Sequence, residues 1–179
     1  MENCVVWCDW GRALEVGAET CADRYNNIIF RNCDLIHGAH IYMDIQNGDR
    51  AKVTNVLYED IRCEYDGYRM HPVYQHDMSA PYTNPKPEPP TKLMFTENYC
   101  GRWSPDNLLG SVSGVTYKNI RVLADGLDRM PPSVFKSVDT EHNTSNVVID
   151  GLYFNGRRIS TIEDANILLR EFTQNVTVK

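Results

Sequence analysis

A short pattern recurs along this chain, first as Asn27-Ile28-Ile29-Phe30-Arg31-Asn32-Cys33-Asp34-Leu35. Further copies begin at Asn55, Gly114, Asn146 and Asn175, and the interval from Asn55 to Gly114 is about twice as long as the others. Within each copy the apolar residues alternate, a small or polar residue interrupts them, and the alternation resumes. This pattern predicts two short strands joined by a bend, and we interpret the long interval as two turns of the repeat.

The segment between the copies also repeats. When Asn3 is aligned with Asn32, Leu14 falls on Met43. A third strand per turn follows, and neighbouring turns about 4.8 Å apart would cover each other's apolar faces. The chain is therefore predicted to be an all-β, right-handed parallel β-helix of about five to six turns of roughly 29 residues each.

The bends of the repeat favour asparagine, because its side chain tolerates left-handed backbone geometry and can form hydrogen bonds along a stack. The bend positions are Asn3, Asn32 and Asn119, with Asp60 and Gly151 as variants.

The cysteines follow the same repeat. Cys4, Cys33 and Cys63 recur at nearly equal intervals, each close to the length of one repeat. Cysteines in step with a repeat are typical of small apolar core residues, which favours a core role over three disulfides. The sequence contains no CxxC pair, so it does not indicate a zinc site, and no metal or other cofactor is expected.

Two segments interrupt the repeat. Residues 66–112 contain most of the prolines and are predicted to be an inserted loop, because proline cannot donate to a strand ladder. Residues 162–172 have the pattern of a short amphipathic helix with Thr161 as its N-cap. The chain 1–179 is otherwise expected to form one domain.

Composition excludes several classes of partner. A net charge of −6 argues against nucleic acid, which requires clustered lysine and arginine. No apolar run approaches the length of a membrane span, and no signal peptide opens the chain.

Three stretches are similar to a known family. Gly11-Arg12-Ala13-Leu14-Glu15-Val16-Gly17-Ala18 resembles a G-H-G-containing strand, residues 112–120 resemble a recurrent strand, and Val73-Tyr74-Gln75 resembles an I-x-Q strand. All three are found in pectin-lyase-like β-helices, in the polygalacturonase group of glycoside hydrolase family 28. The chain resembles the C-terminal half of such proteins, which implies a secreted or periplasmic protein that binds or cleaves a polysaccharide or oligosaccharide.

The chain departs from the family at the catalytic positions. The family's aspartates lie on turns that precede this sequence, and Arg12 stands where the family has a histidine. The family's R-I-K strand falls on Asp44-Ile45-Gln46, so a neutral sugar is expected rather than polygalacturonate.

The candidate catalytic residues are Glu15 and Asp44. They are expected to point outward from neighbouring strands, where two close carboxylates would raise one pKa and suit a general acid beside a carboxylate. Arg12 and Gln46 would line the same groove and bind substrate. The alternatives are an ordinary solvated polar face, or a Ca²⁺ site completed by Asp49 or Glu19.

Other candidate substrate-binding residues lie nearby or in the proline-rich segment. His40 precedes the Asp44 strand, and Tyr74, His76 and Trp103 fall within residues 66–112. Aromatic rings of this kind pack against sugars, although they would equally anchor a long loop.

Two classes of function remain open. One is a carbohydrate-active module with glycoside hydrolase activity, and the other is a non-catalytic β-helix fragment that binds glycan or serves as a scaffold. The sequence opens inside a turn, so its first strand would expose an edge and favour self-association.

Overall fold

The computed structural model describes residues 1–69, 75–83 and 89–179 of the chain. These residues form an all-β structure with no helix, and therefore no helix long and apolar enough to cross a membrane. The strands are β1 (Val5–Cys8), β2 (Arg12–Ala18), β3 (Arg24–Gly38), β4 (Ile41–Asn47), β5 (Lys52–Glu64), β6 (Lys92–Asn98), β7 (Ser111–Leu123), β8 (Ser133–Phe135), β9 (Thr144–Phe154), β10 (Arg157–Ile159), β11 (Ile167–Leu169) and β12 (Thr173–Val178).

The copies of the sequence pattern are consecutive neighbours in the first sheet. Its order is β1-β3-β5-β7-β9, with β12 and β10 both paired to β9, and every pairing except β9–β10 is parallel. Val56 pairs directly with Val115, so the long interval between these copies is a single repeat with an insertion. The prediction that it contains two turns is wrong.

The second sheet is formed by the strands between these copies, in the order β11-β8-β6-β4-β2, and all its pairings are parallel. Leu14 pairs with Met43, and in the first sheet Cys33 pairs with Ile61, as the alignment of the repeats predicts. Strand β6 lies inside residues 66–112, so this segment is not a loop throughout.

The core is shared by the two sheets. A column of stacked rings passes through it, with centroid separations of 5.0 Å for Phe30–Tyr58, 5.1 Å for Tyr58–Tyr117 and 6.2 Å for Tyr117–Phe135. Cys33 and Cys63 are fully buried among these side chains, and the six cysteines, all of which are described, form no disulfide. The prediction of cysteines in the core is confirmed for this pair, while Cys4 is only partly buried.

Left-handed residues interrupt the long strands of the first sheet at two positions. The predicted column has positive φ throughout, and its φ angles are 57° at Asn3, 50° at Asn32, 56° at Asp60, 53° at Asn119 and 78° at Gly151. The Asn32 amide donates to Asn3 Oδ1 over 2.7 Å. A second column has the same geometry and consists of Asn27, Asn55, Gly114, Asn146 and Asn175.

Charges alternate along one column of the first sheet. The Arg31 guanidinium lies 3.1 Å from Glu2 and 2.7 Å from Glu59, and the Lys118 ammonium lies 2.7 Å from the other oxygen of Glu59. Asp150 pairs with Lys118 in the next strand. These side chains are at least partly exposed, so each pair contributes little to stability by itself, but the sign changes at every step.

The helix predicted for residues 162–172 is absent. Thr161 does accept a hydrogen bond from the Asp164 amide over 3.0 Å, as an N-cap would, but only one turn follows. Asn166 then adopts a φ of 52°, and Ile167–Leu169 pairs in parallel with Ser133–Phe135. Strand pairing therefore prevails over the amphipathic pattern, because the neighbouring strand offers backbone partners for β11.

Candidate functional site

Strands β2, β4 and β6 direct equivalent positions away from the core. In each strand two consecutive residues contact the core, namely Ala13–Leu14, Tyr42–Met43 and Leu93–Met94. The residues on either side of these pairs, and those two positions further along each strand, form the outer face of the second sheet. Its columns are Arg12, Ile41 and Lys92, then Glu15, Asp44 and Phe95, then Gly17, Gln46 and Glu97.

Glu15 and Asp44 are neighbours on the outer face, in the pairing that the sequence predicts. Arg12 Nε lies 2.8 Å from Asp44 Oδ2 and 3.6 Å from Glu15 Oε1, so one guanidinium lies beside both carboxylates. Gln46 Nε2 donates to the same Asp44 oxygen over 3.0 Å. The two acids therefore do not form an ordinary solvated face, because Asp44 is fully buried while Glu15 remains partly exposed.

Burial raises the pKa of Asp44 from 3.8 to about 7; Arg12 and Gln46 oppose this shift and Glu15 adds to it. The pKa of Glu15 is also raised, chiefly by burial, with Arg12 lowering it. Asp44 Oδ1 is buried and has no hydrogen-bond partner among the described residues. The pair can therefore hold a proton near neutral pH.

A tyrosine of the core forms a hydrogen bond with the backbone of Asp44. The Tyr58 hydroxyl donates to the backbone oxygen of Asp44 over 3.0 Å, and the Tyr58 ring is stacked between Phe30 and Tyr117. The position of Asp44 is consequently tied to the ring column.

A first cavity of about 360 Å³ opens beside Arg12 and Gln46, where the strands of the second sheet end. The Tyr99 hydroxyl donates to Gln46 Oε1 over 3.4 Å. Trp103 is exposed at the rim, with the Arg102 guanidinium 4.2 Å from its ring centroid. The cavity thus combines a flat aromatic side chain with polar groups.

A second cavity of about 400 Å³ also borders Arg12 and Gln46 and covers the later strands of the same face. Its apolar lining consists of Ile41, Phe95, Val134 and Leu168. Its polar and charged lining consists of Arg12, His40, Gln46, Lys92, Glu97, Lys136 and Arg170.

The structure assembles most of the predicted site residues. Glu15 and Asp44 lie with Arg12 and Gln46 on the outer face, Trp103 lines the first cavity, and His40 lines the second. His76 is exposed and lines neither of these two cavities. The prediction for Tyr74 falls outside the described residues.

Several residues of this surface could not be predicted from the sequence. Phe95 and Lys92 continue the columns of Asp44 and Ile41, but the insertion between β4 and β6 separates the paired positions by much more than an ordinary repeat and so hides the relationship. Lys136 and Arg170 follow the strands β8 and β11, which are too short to give a periodic signal.

The described residues do not bring together the ligands of the alternative Ca²⁺ site. In the described part of the chain, no group of three or more His, Cys, Asp or Glu side chains is placed to hold a metal ion. Asp49 instead accepts a hydrogen bond from the Thr20 backbone amide over 2.7 Å.

No family model, curated protein or solved structure matches this chain.

Proposed function

We propose that the chain forms a right-handed parallel β-helix of the pectin-lyase-like type and that its outer face binds and cleaves a polysaccharide. The fold proposal is supported by parallel pairing of each repeat with the next in both sheets. It is also supported by the columns of rings and left-handed asparagines, which require equivalent residues to stack.

The observation that carries the functional proposal is a pair of carboxylates with raised pKa that share one guanidinium between two cavities. Glycoside cleavage needs a protonated carboxyl group beside an ionised one. Glu15 is the partly exposed member and would donate its proton to the leaving oxygen, while a water molecule attacks the anomeric carbon and returns a proton to Glu15. Asp44 is buried and would act as a positioning residue that holds Arg12 beside Glu15.

The cavity beside this pair supports a carbohydrate ligand. Tyr99 and Trp103 offer ring faces together with polar edges, a combination that suits the apolar face and hydroxyl groups of a sugar. A sugar chain that packs against Trp103 would pass Arg12, which lines both cavities and whose Nε lies 3.6 Å from Glu15 Oε1, although Glu15 itself lines neither cavity.

A second candidate function is glycan binding without turnover. It is favoured by the complete burial of Asp44, whose ion pair with Arg12 has the contacts of a structural element. In this case the cavities would bind sugar while the acid pair stabilised the sheet.

Release of reducing sugar from a panel of neutral and acidic polysaccharides separates the two candidates. Glu15→Gln should lower the rate at least about 100-fold while leaving binding intact, because the side chain keeps its shape but loses its proton. Asp44→Asn should lower the rate and shift its pH profile. Glu163→Gln, an exposed control, should behave as wild type. Turnover that survives both site changes contradicts the proposal, and binding without any turnover selects the second candidate.

A further inference from the structure

The second cavity is strongly cationic in a protein of net charge −6. Four of its lining side chains are lysine or arginine, and Glu97 is the only carboxylate among the residues that line it. The Lys136 ammonium lies 2.6 Å from Glu97, and Arg12 is paired with Asp44. The lining as a whole carries four cationic side chains against one carboxylate, and this excess favours an anionic ligand.

Two of these cations approach the same ring. Lys92 Nζ lies 5.5 Å from the Phe95 centroid, and Lys136 Nζ lies 5.4 Å from it. The ring face attracts both ammonium groups and so helps to keep two cations on this part of the lining. An anion bound in the cavity would be attracted by both groups.

The floor beneath the cations is apolar and elongated. Phe95 pairs with Val134, and Val134 pairs with Leu168, so the three side chains form a row across three successive strands. At about 4.8 Å per strand this row is ~10 Å long, which suits the apolar face of a sugar chain better than an isolated ion.

We propose that the second cavity binds a sugar unit that carries a tetrahedral oxyanion, either a sulfate ester or a phosphate ester. The inference rests on the proposed function, because the unit would belong to the same glycan that reaches Glu15. The sequence predicts a neutral sugar from Asp44 and Gln46, whereas this inference predicts an anionic one. The difference arises because Lys92, Lys136 and Arg170 lie on or next to strands further along the sheet.

The arrangement of the cations favours a tetrahedral group over a carboxylate. Lys92 lies on β6, Lys136 follows β8 and Arg170 follows β11, so the donors reach the cavity from three different strands. Lysine acts as a point charge, and an ester with three terminal oxygens can accept from several directions at once. A planar carboxylate is best satisfied by one bidentate arginine.

Binding of matched glycans tests the inference by calorimetry. The pairs are dextran sulfate with dextran, chondroitin sulfate with chondroitin, and phosphorylated mannan with plain mannan, and oligogalacturonate serves as the probe that carries only carboxylates. At least one ester should bind about ten-fold or more tightly than its unmodified partner, because each charge-assisted hydrogen bond contributes on the order of 1.5–3 kcal/mol. The first two pairs and the third distinguish sulfate from phosphate.

Variants locate the effect. The double change Lys92→Gln and Lys136→Gln should abolish the preference for the ester, and Arg170→Gln should weaken it. Lys179→Gln removes an exposed charge at the last residue and should leave the preference unchanged.

The outcomes separate this inference from the proposed function. Equal affinity for ester and unmodified glycan overturns the inference, as does oligogalacturonate binding as tightly as the best ester, or a preference that survives the double change. Turnover that survives Glu15→Gln and Asp44→Asn, with the ester preference intact, overturns the catalytic proposal alone.

Discussion

The asparagines at the bends combine two properties that other residues supply only separately. Asn32 has a φ of 50° and donates to Asn3 Oδ1 over 2.7 Å. Glycine would keep the backbone geometry without the hydrogen bond, and alanine would provide neither.

Asn32→Ala should therefore lower the free energy of unfolding by about 2 kcal/mol, from left-handed strain and the lost hydrogen bond. Asn32→Gly, the matched control, should cost roughly 1 kcal/mol through the lost hydrogen bond alone. Urea denaturation measures both changes. Equal losses for the two variants would show that the left-handed backbone is not what selects asparagine here.

The buried acid predicts a specific dependence of stability on pH. Burial raises the pKa of Asp44 to about 7 in the folded state, well above the 3.8 of an exposed aspartate. Between these values the folded protein binds more protons than the unfolded chain, so stability falls as the pH rises through this window.

Asp44→Asn should remove this cost, which amounts to on the order of 4 kcal/mol between about pH 4 and pH 8. Melting temperatures of wild type and variant across this range give the measurement. The variant should gain stability over wild type as the pH rises, and parallel curves would show that Asp44 keeps an ordinary pKa. Carboxylates of lowered pKa, such as Asp34, are common to both proteins and cancel in the comparison.

At the level of strands, the ring column links the two sheets to the acid pair. The Tyr58 ring is fully buried between two other rings, and its hydroxyl donates to the Asp44 backbone. The stability of β5 should therefore depend on this ring.

Tyr58→Ala should lower the free energy of unfolding by about 3–5 kcal/mol, whereas Tyr58→Phe should lower it by roughly 1 kcal/mol through the lost hydrogen bond. Chemical denaturation measures both variants. If Tyr58→Phe lowered the free energy of unfolding as much as Tyr58→Ala, the hydroxyl group and not the ring stacking would be the source of the stabilisation.

The strands with a clear repeat could be predicted from the sequence, and the short ones could not. The alignment of Asn3 with Asn32 correctly places Leu14 over Met43 and Glu15 beside Asp44. The sequence does not predict strand β11. This strand is too short to show a period, and its local pattern favours a helix, although the strand pairs with β8. The candidate site follows the same division, because the acid pair lies on regular strands while Lys136 and Arg170 follow β8 and β11.

The buried polar contacts at the ends of the second-sheet strands also could not be predicted from a sequence pattern. Thr20 Oγ1 donates to Asn47 Oδ1 over 2.6 Å, and Asn47 Nδ2 donates to Asn98 Oδ1 over 3.0 Å. All three side chains are buried. An alternation of apolar and polar residues cannot distinguish a buried amide from a solvated one, because the covering residues come from distant parts of the chain.

For the whole molecule, the first strand of each sheet has a free edge within the described residues. Cys4 O accepts from the Asp34 amide over 2.9 Å, and the Val5 amide belongs to the same planar peptide. A trans peptide directs its N–H opposite to its C=O, so the Val5 N–H faces away from β3. The Val5 side chain is itself 67% exposed, and the self-association expected from the sequence stays a prediction.

Val5→Pro should reduce this self-association, because it removes the N–H on the free edge without breaking a bond to β3. Analytical ultracentrifugation should show concentration-dependent oligomers for wild type and more monomer for the variant. Val5→Thr keeps the amide and the branched side chain and should associate as wild type does. A monomeric wild-type protein would contradict the prediction.

The charges in one column of the first sheet alternate in sign, so the effect of removing repeats depends on whether their number is odd or even. The column consists of Glu2, Arg31, Glu59, Lys118 and Asp150. Removing only the repeat that carries Glu59 would bring Arg31 opposite Lys118, where like charges destabilise a strand pair. Removing the Glu59 and Lys118 repeats together would instead bring Arg31 opposite Asp150 and restore attraction. Shortening or lengthening by an even number of repeats is therefore tolerated by this column, while an odd number is penalised.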